Sequence, residues 1–129
     1  MSELTESTTQ GKFADDLQSS ELPSISVVMP VYNGVEFITQ SIPPLIEMLQ
    51  RGELVEVLVV DDGSTDDTVA LSRELGATVL HSGGRLGPGG ARNQAASAAT
   101  GNVLWFVDAD VVVHEDAARE LANAFTSDD

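Results

Sequence analysis

Two hydrophobic patterns alternate along this chain. Short continuous apolar runs rich in β-branched residues predict four strands, over 24–29, 55–60, 77–81 and 103–107. Between and after these runs, apolar residues recur at every third or fourth position and predict four helices, over 35–51, 67–75, 91–100 and 114–125. Apolar strands that alternate with helices are typical of α/β proteins whose sheet is mainly parallel and covered on both faces. We therefore expect a three-layer, Rossmann-like α/β/α fold with about four strands.

Proline and glycine interrupt these patterns at two places. Pro43-Pro44 falls inside the first helical stretch, and because proline lacks an N–H and clashes with the preceding turn, we expect the helix to kink or restart there. Ser82–Gly90 contains five glycines and one proline and predicts a flexible loop able to cover a ligand, with the next helix starting at Ala91. The loop lacks the Lys-Ser/Thr ending of a phosphate-binding P-loop, so we do not expect that class of site.

The first 22 residues show neither pattern. They are rich in Ser, Thr, Gln, Asp and Glu, and their apolar residues are too scattered to form a face. Such a composition is typical of a disordered segment. We therefore expect a disordered tail over 1–22 and one folded domain over 23–129.

The net charge of −15, from 21 acidic and 6 basic residues, limits the partners of the protein. Nucleic acid and anionic membrane surfaces both require clusters of Lys and Arg, so we expect neither as a partner. A diphosphate ligand would need backbone N–H groups, a few placed arginines or a metal ion to offset the acidic charge.

The chain contains no cysteine, which excludes disulfides and thiolate metal sites and allows a reducing compartment. Its N-terminus is acidic and lacks the apolar segment of a signal peptide. No apolar stretch approaches the roughly 20 residues of a membrane-spanning helix. We therefore expect a cytoplasmic protein with no membrane segment in this chain.

Asp61-Asp62-Gly63-Ser64 follows the second predicted strand, and ligands of parallel sheets bind beyond the carboxyl ends of the strands. A carboxylate at this position can accept a hydrogen bond from a nucleobase imide or a ribose hydroxyl. Gly63 allows a sharp turn, and Ser64 and Thr65 can satisfy the N–H groups at the start of the next helix. The segment is therefore either part of a ligand site or a turn and helix cap without a ligand.

Asp108-Ala109-Asp110 places two carboxylates two residues apart at the end of the fourth predicted strand. Because residues i and i+2 of a strand point to the same face, we expect the two carboxylates to converge. Mg²⁺ and Mn²⁺ prefer oxygen ligands and commonly combine one or two carboxylates with phosphate oxygens. The segment predicts a divalent-cation site that offsets the charge of a diphosphate, and the alternative is a pair of exposed acids without a ligand.

Two arginines and two aromatic residues lie close to these segments. Arg85 or Arg92 could reach a phosphate, and Arg92 could equally pair with an acidic side chain. Trp105 and Phe106 belong to the fourth predicted strand, so we expect them in the core and not as a platform for stacking a base.

Four segments, in this order, resemble the motifs of the family 2 glycosyltransferases, inverting nucleotide-sugar enzymes with a GT-A fold. The matching segments are V-V-M-P-V-Y-N at 27–33, V-D-D-G-S-T-D at 60–66, G-P-G-G-A-R-N-Q-A at 87–95 and G-N-V-L-W-F-V-D-A-D at 101–110. Ala95 stands where the family usually has glycine. The resemblance covers about residues 24–125.

The resemblance implies that the chain binds a UDP- or GDP-sugar together with Mg²⁺ or Mn²⁺. Pro30 and Tyr32 would lie beside the base, Asp62 would contact it, and Asp108 would lie by the ribose. The metal ion and the diphosphate would be held at Asp110, with Asp108 as a second ligand. The complete nucleotide-sugar site implied by the resemblance consists of Pro30, Tyr32, Asn33, Asp61, Asp62, Gly63, Ser64, Arg92 and Asp108.

The chain ends at Asp129, soon after Asp110. Family members use a second half, beyond this point, to hold the acceptor and to supply a carboxylate general base. We therefore expect a nucleotide-sugar-binding half that is truncated relative to a full catalytic domain, with no assignable catalytic base. An apolar sheet edge exposed by truncation would favour a homodimer.

Two alternatives stay open at this point. The chain could be a non-catalytic nucleotide-sugar-binding module or remnant that keeps the fold without turnover. It could also be a fragment of a haloacid-dehalogenase-like phosphatase, although that class carries its D-x-D on the first strand and needs a later lysine, whereas Lys12 is the only lysine here. A phospho-receiver domain is disfavoured because the aspartate pair follows the second strand and no partnering lysine exists.

Overall fold

Strands and helices alternate through residues 23–126, the part of the chain that the computed structural model describes. Their order is β1 (Ile25–Val31), α1 (Val35–Gln50), β2 (Glu56–Asp61), α2 (Thr68–Glu74), β3 (Thr78–His81), α3 (Gly87–Ala98), β4 (Val103–Phe106) and α4 (Ala117–Thr126). The strands form one parallel sheet in the spatial order β3-β2-β1-β4. The predicted α/β class and the parallel sheet are confirmed. The predicted disordered tail, residues 1–22, lies outside the described residues.

Helices cover both faces of the two central strands. Because side chains alternate along a strand, one face of β1 and β2 packs against α1 and α4 in the main core, and the opposite face packs against α3. The smaller cluster under α3 consists of Val28, Val60, Ala91 and Ala95. Among the described residues, no helix is long and apolar enough to cross a membrane.

Helix α1 continues through Pro43 and Pro44, so the predicted restart at the prolines is wrong. The missing N–H groups would face carbonyls one turn earlier, at Thr39 and Gln40, and both of those residues are exposed to water. Each proline costs a helix about 3 kcal/mol, whereas each large apolar side chain that is fully buried contributes about 1.5–3 kcal/mol. Four such side chains of α1 are fully buried: Ile38, Ile42, Leu45 and Met48.

Helix α3 begins at Gly87, earlier than the predicted start at Ala91. Glycine disfavours helices, which is why the sequence predicts a longer loop. Pro88 falls in the first turn, where a helix needs no N–H from it. The carboxylate of Asp62 accepts hydrogen bonds from the N–H groups of Leu86 and Gly87, and this contact stabilises the start of the helix.

Strand β4 ends at Phe106, whose partner on β1 is Val28, so it stops short of the carboxyl end of β1. Asp108–Asp110 therefore lies in a turn beyond the strand, with a 3.1 Å hydrogen bond from the N–H of Val111 to the carbonyl of Asp108. The prediction that strand geometry aligns the two carboxylates is wrong. Phe106 is 46% exposed, against the expectation of a core position, because β4 is an edge strand among the described strands.

Gly101 joins the segment before β4 to β1 at the amino end of the sheet. Its N–H donates to the hydroxyl of Ser26 (2.8 Å), and that hydroxyl donates to the carboxylate of Glu56 (2.6 Å). The N–H of Thr100 donates to the same carboxylate oxygen (2.6 Å). A Cβ atom on residue 101 would lie 2.7 Å from the carbonyl oxygen of Ser24 and from the hydroxyl of Ser26. Only glycine fits this close approach.

Candidate functional site

A cavity of about 270 Å³ opens at the carboxyl edge of the sheet. It lies beyond β1 and β2, and the turn after β4 closes one side, which is the position where parallel sheets bind ligands. Charged side chains and apolar walls share its lining, which consists of Pro30, Val31, Tyr32, Gly34, Phe37, Asp62, Arg85, Ala91, Arg92, Asp108, Ala109 and Asp110. Six of the residues implied by the family resemblance are therefore brought together: Pro30, Tyr32, Asp62, Arg92, Asp108 and Asp110.

The other four, Asn33, Asp61, Gly63 and Ser64, do not line the cavity. Asn33 adopts a left-handed backbone conformation with φ of 51°, and its side-chain oxygen accepts a hydrogen bond from the N–H of Thr65 (2.8 Å). In return, the hydroxyl of Ser64 accepts from the N–H of Asn33 (2.8 Å). These bonds join the loop after β1 to the loop after β2, so Asn33 and Ser64 position the wall that carries Tyr32.

Asp61 is buried, and its carboxylate stabilises the turn that follows it. Its carboxylate accepts long hydrogen bonds from the N–H of Gly63 (3.3 Å) and of Ser64 (3.2 Å). Gly63 takes a φ of 96°, which favours glycine. In this structure Asp61 and Gly63 form the turn that the sequence offered as an alternative to ligand binding.

Asp62 holds the loop that precedes α3. One oxygen, Oδ1, accepts from the hydroxyl of Ser82 (2.7 Å) and from the N–H of Leu86 (2.8 Å), while Oδ2 accepts from the N–H of Gly87 (2.9 Å). The Leu86 N–H contributes most to holding the pKa of this carboxyl below its usual value, followed by the Ser82 hydroxyl. Asp62 is therefore an ionised acceptor at neutral pH. Hydrogen bonds from this loop already occupy most of the acceptor positions of the Asp62 carboxylate.

Arg85 lines the cavity between Tyr32 and Asp62. Its guanidinium carbon is 3.6 Å from the centre of the Tyr32 ring, and its Nε is 3.5 Å from Oδ2 of Asp62. The sequence predicts Arg85 only as a phosphate contact. A basic side chain within a glycine-rich loop was the available signal, but its stacking on Tyr32 depends on tertiary structure.

Asp108 and Asp110 are both exposed and both line the cavity, although they lie in a turn. Within residues 23–126, no group of three or more His, Asp or Glu side chains could hold a metal ion alone. Two carboxylates facing an open cavity fit Mg²⁺ or Mn²⁺, which complete their coordination with water and substrate phosphate. The donor set thus suits a cation shared with a ligand and does not suit a closed structural site.

Phe37 is the lining residue that sequence reasoning missed most clearly. It belongs to the first turn of α1, is 45% exposed and falls outside the apolar spacing of that helix. Phe37 is an aromatic residue next to a motif and outside the buried face of its helix. This combination was a signal that could have identified it as a site residue. The small residues Gly34, Ala91 and Ala109 gave no comparable signal, because close packing explains each of them.

The model of the family described as Glycosyl transferase family 2 matches residues 26–129. Among curated proteins, glycosyltransferase GlyG of Streptococcus pneumoniae serotype 4 is 30% identical over 102 residues. That match covers 75% of this chain and 33% of GlyG, so the chain spans about a third of the length of this relative.

Two solved structures show the same likeness in three dimensions. The complex of S. aureus TarS 1-349 with UDP-GlcNAc has a TM-score of 0.68 and 32% identity, over 77% of this chain and 30% of that chain. The complex of Mycobacterium tuberculosis glucosyl-3-phosphoglycerate synthase with Mn²⁺, UDP and glucosyl-3-phosphoglycerate has a TM-score of 0.68 and 27% identity, over 81% of this chain and 40% of that chain. Both neighbours extend well beyond the region they share with this chain.

Proposed function

This chain belongs to glycosyl transferase family 2, and from that premise we propose that its cavity binds a nucleotide-sugar donor together with a divalent metal ion. The observation that carries the proposal is one cavity lined by an exposed tyrosine ring, a buried carboxylate, two arginines and a pair of exposed carboxylates. A nucleotide sugar requires an aromatic or carboxylate contact for its base and a cation for its diphosphate, and this lining offers both.

The base and ribose would occupy the part of the cavity beside Pro30 and Tyr32, with Asp62 facing the base and Asp108 facing the ribose. Pockets for drug-sized ligands usually measure about 300–1,000 Å³, so a cavity of about 270 Å³ suits the nucleoside part of the donor and leaves the sugar outside. Asn33, Asp61, Gly63 and Ser64 support this site through the loops that they hold, and any direct contact of theirs with the nucleotide stays a prediction.

The diphosphate would be held by a metal ion on Asp110 and Asp108, with Arg92 nearby. When bound, a divalent cation stabilises the negative charge of the departing nucleoside diphosphate. The carboxylates of this chain would orient that cation at the cavity mouth. Arg92 lies on the same side, with its guanidinium carbon 6.0 Å from the Phe106 ring, and adds positive charge near the phosphates.

We propose a UDP-sugar as the donor class, because the neighbouring structures TarS and glucosyl-3-phosphoglycerate synthase were solved with UDP-GlcNAc and with UDP. Transfer of the sugar with inversion to an acceptor is the proposed activity of the protein to which this region belongs. No catalytic base is assigned among the described residues. The alternative of a non-catalytic binding module shares the same site and differs only in turnover, whereas family membership does not support the phosphatase alternative.

Calorimetric titration with UDP and GDP, with and without Mn²⁺, tests the proposal. We expect UDP to bind only in the presence of the metal, and Asp110→Asn to weaken that binding about tenfold or more, as loss of a metal contact does. Asp67→Asn is the matched control, since Asp67 is also exposed but does not line the cavity. Equal affinity for UDP with and without Mn²⁺, or an unchanged affinity of the Asp110→Asn variant for UDP, would refute the metal–diphosphate site.

A cytoplasmic location and a homodimer both stay predictions. The first is compatible with the absence of cysteine. The second is compatible with the exposed edge of β4 among the described strands, and light scattering at several concentrations would test it.

A further inference from the structure

The guanidinium of Arg85 makes the two contacts that a nucleobase would be expected to make in this cavity. Like a base, it is planar, and it lies 3.6 Å from the centre of the Tyr32 ring. It also forms an ion pair with the carboxylate that would accept from the imide N–H of a base, with Nε 3.5 Å from Oδ2 of Asp62. Arginine stacks on aromatic rings and pairs with carboxylates for the same geometric reasons that a base does.

The carboxylate of Asp62 has little capacity left for a further partner. A carboxylate offers about four acceptor positions. Oδ1 already accepts from Ser82 and Leu86, and Oδ2 accepts from Gly87. Three of these positions are thus taken, and Nε of Arg85 lies 3.5 Å from Oδ2, the oxygen that accepts only one of these bonds. A base that is to bind Asp62 without breaking the loop must therefore take the place of Arg85.

The residues around Arg85 contact its aliphatic stem and leave space into which the guanidinium can move. A Cβ atom on Gly63 would lie 3.5 Å from Cδ of Arg85, so the aliphatic stem passes over a residue that has no side chain. The side chain as a whole is 59% exposed. Gly83 and Gly84 precede it, and a Cβ atom on either would meet nothing within 4 Å. The guanidinium can therefore leave the ring without rearrangement of the core.

We propose that Arg85 occupies the nucleobase subsite in the nucleotide-free protein and is displaced when a base stacks on Tyr32. Arg85 is then a specificity-determining residue, because a base must stack and hydrogen-bond better than the guanidinium in order to enter. This inference rests on the proposed function of the cavity.

The size of the effect follows from the contacts that the base must replace. One cation–π contact and one ion pair, both made by the largely exposed side chain of Arg85, each shift an equilibrium by about two- to fivefold. The apparent affinity for a base is reduced in proportion to the fraction of protein whose subsite is open. We therefore expect removal of the planar group to strengthen binding of a base by about threefold to tenfold.

Uridine is the probe, because it carries the base and ribose without phosphate charge. Its dissociation constant would be measured by NMR on the full chain labelled at tyrosine, since Tyr32 is the only tyrosine and gives a single ring signal. Arg85→Lys keeps the positive charge but removes the planar fork. Arg119→Lys is the matched control, because Arg119 is also 59% exposed and does not line the cavity. We expect about threefold or more tighter uridine binding for Arg85→Lys and no change for Arg119→Lys.

The Nε–H proton of Arg85 gives a second measurement that does not depend on any variant. Stacked on Tyr32, it should resonate upfield of a free arginine, and uridine should return it towards the free value. A uridine complex in which the Tyr32 signal shifts and the Arg85 signal does not would overturn the proposal, since the base would then bind beside the guanidinium.

A parallel titration with UDP and Mn²⁺ distinguishes failure of Arg85 displacement from failure of the nucleotide site itself. If UDP binds the wild type but uridine binds Arg85→Lys no more tightly than the wild type, displacement of Arg85 is refuted and the nucleotide site stands. If neither UDP nor uridine binds the wild type, the nucleotide site itself is refuted, and the proposal for Arg85 with it.

Discussion

Substitution of Gly101 by alanine should destabilise the fold from the end of the sheet opposite the cavity. The new Cβ atom would lie 2.7 Å from the Ser24 carbonyl oxygen and the Ser26 hydroxyl, and 2.8 Å from the Ser26 backbone nitrogen. Forcing one methyl group into a packed site costs about 1–3 kcal/mol. The displaced groups also accept hydrogen bonds, from the N–H of Gly101 (2.8 Å) and of Val103 (2.9 Å), and each is worth about 1 kcal/mol. The expected loss is therefore about 3–5 kcal/mol.

Thermal unfolding followed by circular dichroism would measure this loss. For a domain of about 100 residues, 1 kcal/mol shifts Tm by about 4–8 °C, so we expect a drop of about 10 °C or more for Gly101→Ala. Gly89→Ala is the matched control. A Cβ atom there meets nothing within 4 Å, and alanine is preferred to glycine inside a helix such as α3, so Tm should stay the same or rise slightly. Equal melting temperatures for the two variants would show that the chain around Gly101 is not packed as described.

Two further substitutions test the side chains that fasten the loops and the amino end of the sheet. Burial raises the pKa of Glu56, but hydrogen bonds from Ser26 and Thr100 outweigh it and leave the pKa below the usual 4.5. A carboxyl whose pKa is lowered by folding stabilises the fold only while it is ionised. Glu56→Gln should therefore have a lower urea midpoint than the wild type at pH 7, and the difference should shrink as the pH falls below 4.5. A constant difference down to pH 3 would contradict this expectation. Asn33→Ala should cost about 1–3 kcal/mol in urea unfolding, because it removes the acceptor for Thr65 and places alanine at φ of 51°. Asn33→Asp keeps the acceptor and should retain most of that stability, so equal losses in the two variants would argue against the side-chain contact.

Hydrophobic spacing was sufficient to predict the class of fold, because strands and helices in this chain differ clearly in period. It failed where one residue type had a strong local preference that tertiary contacts overrode. Pro43 and Pro44 predict a break, yet the buried face of α1 keeps the helix continuous. The glycines after Gly87 predict a loop, yet Asp62 supplies acceptors that allow a helix to start there.

The candidate site could be predicted residue by residue mainly where a motif lies near the end of a strand. Tyr32 and Asp62 follow strands directly, Asp108 follows β4 after one residue, and all three line the cavity. The stacking of Arg85 on Tyr32 could not be predicted in this way, because it joins two loops far apart in the chain. Local sequence patterns carry no information on which of several loop side chains will occupy a shared cavity.

The central position of β1 determines the order in which the domain can fold. β1 is the first of the described strands along the chain, its neighbours are β2 and β4, and the pairing of Ile25 with Val103 joins it to the last of the described strands. Such distant pairings close slowly, because the intervening chain must lose its freedom first. During synthesis, β1 can pair with β2 as soon as α1 and β2 are made, whereas its other edge can pair only after β4 has been made. The turn that carries Asp108 and Asp110 follows that strand, so the cavity can be completed only after β4 has been made.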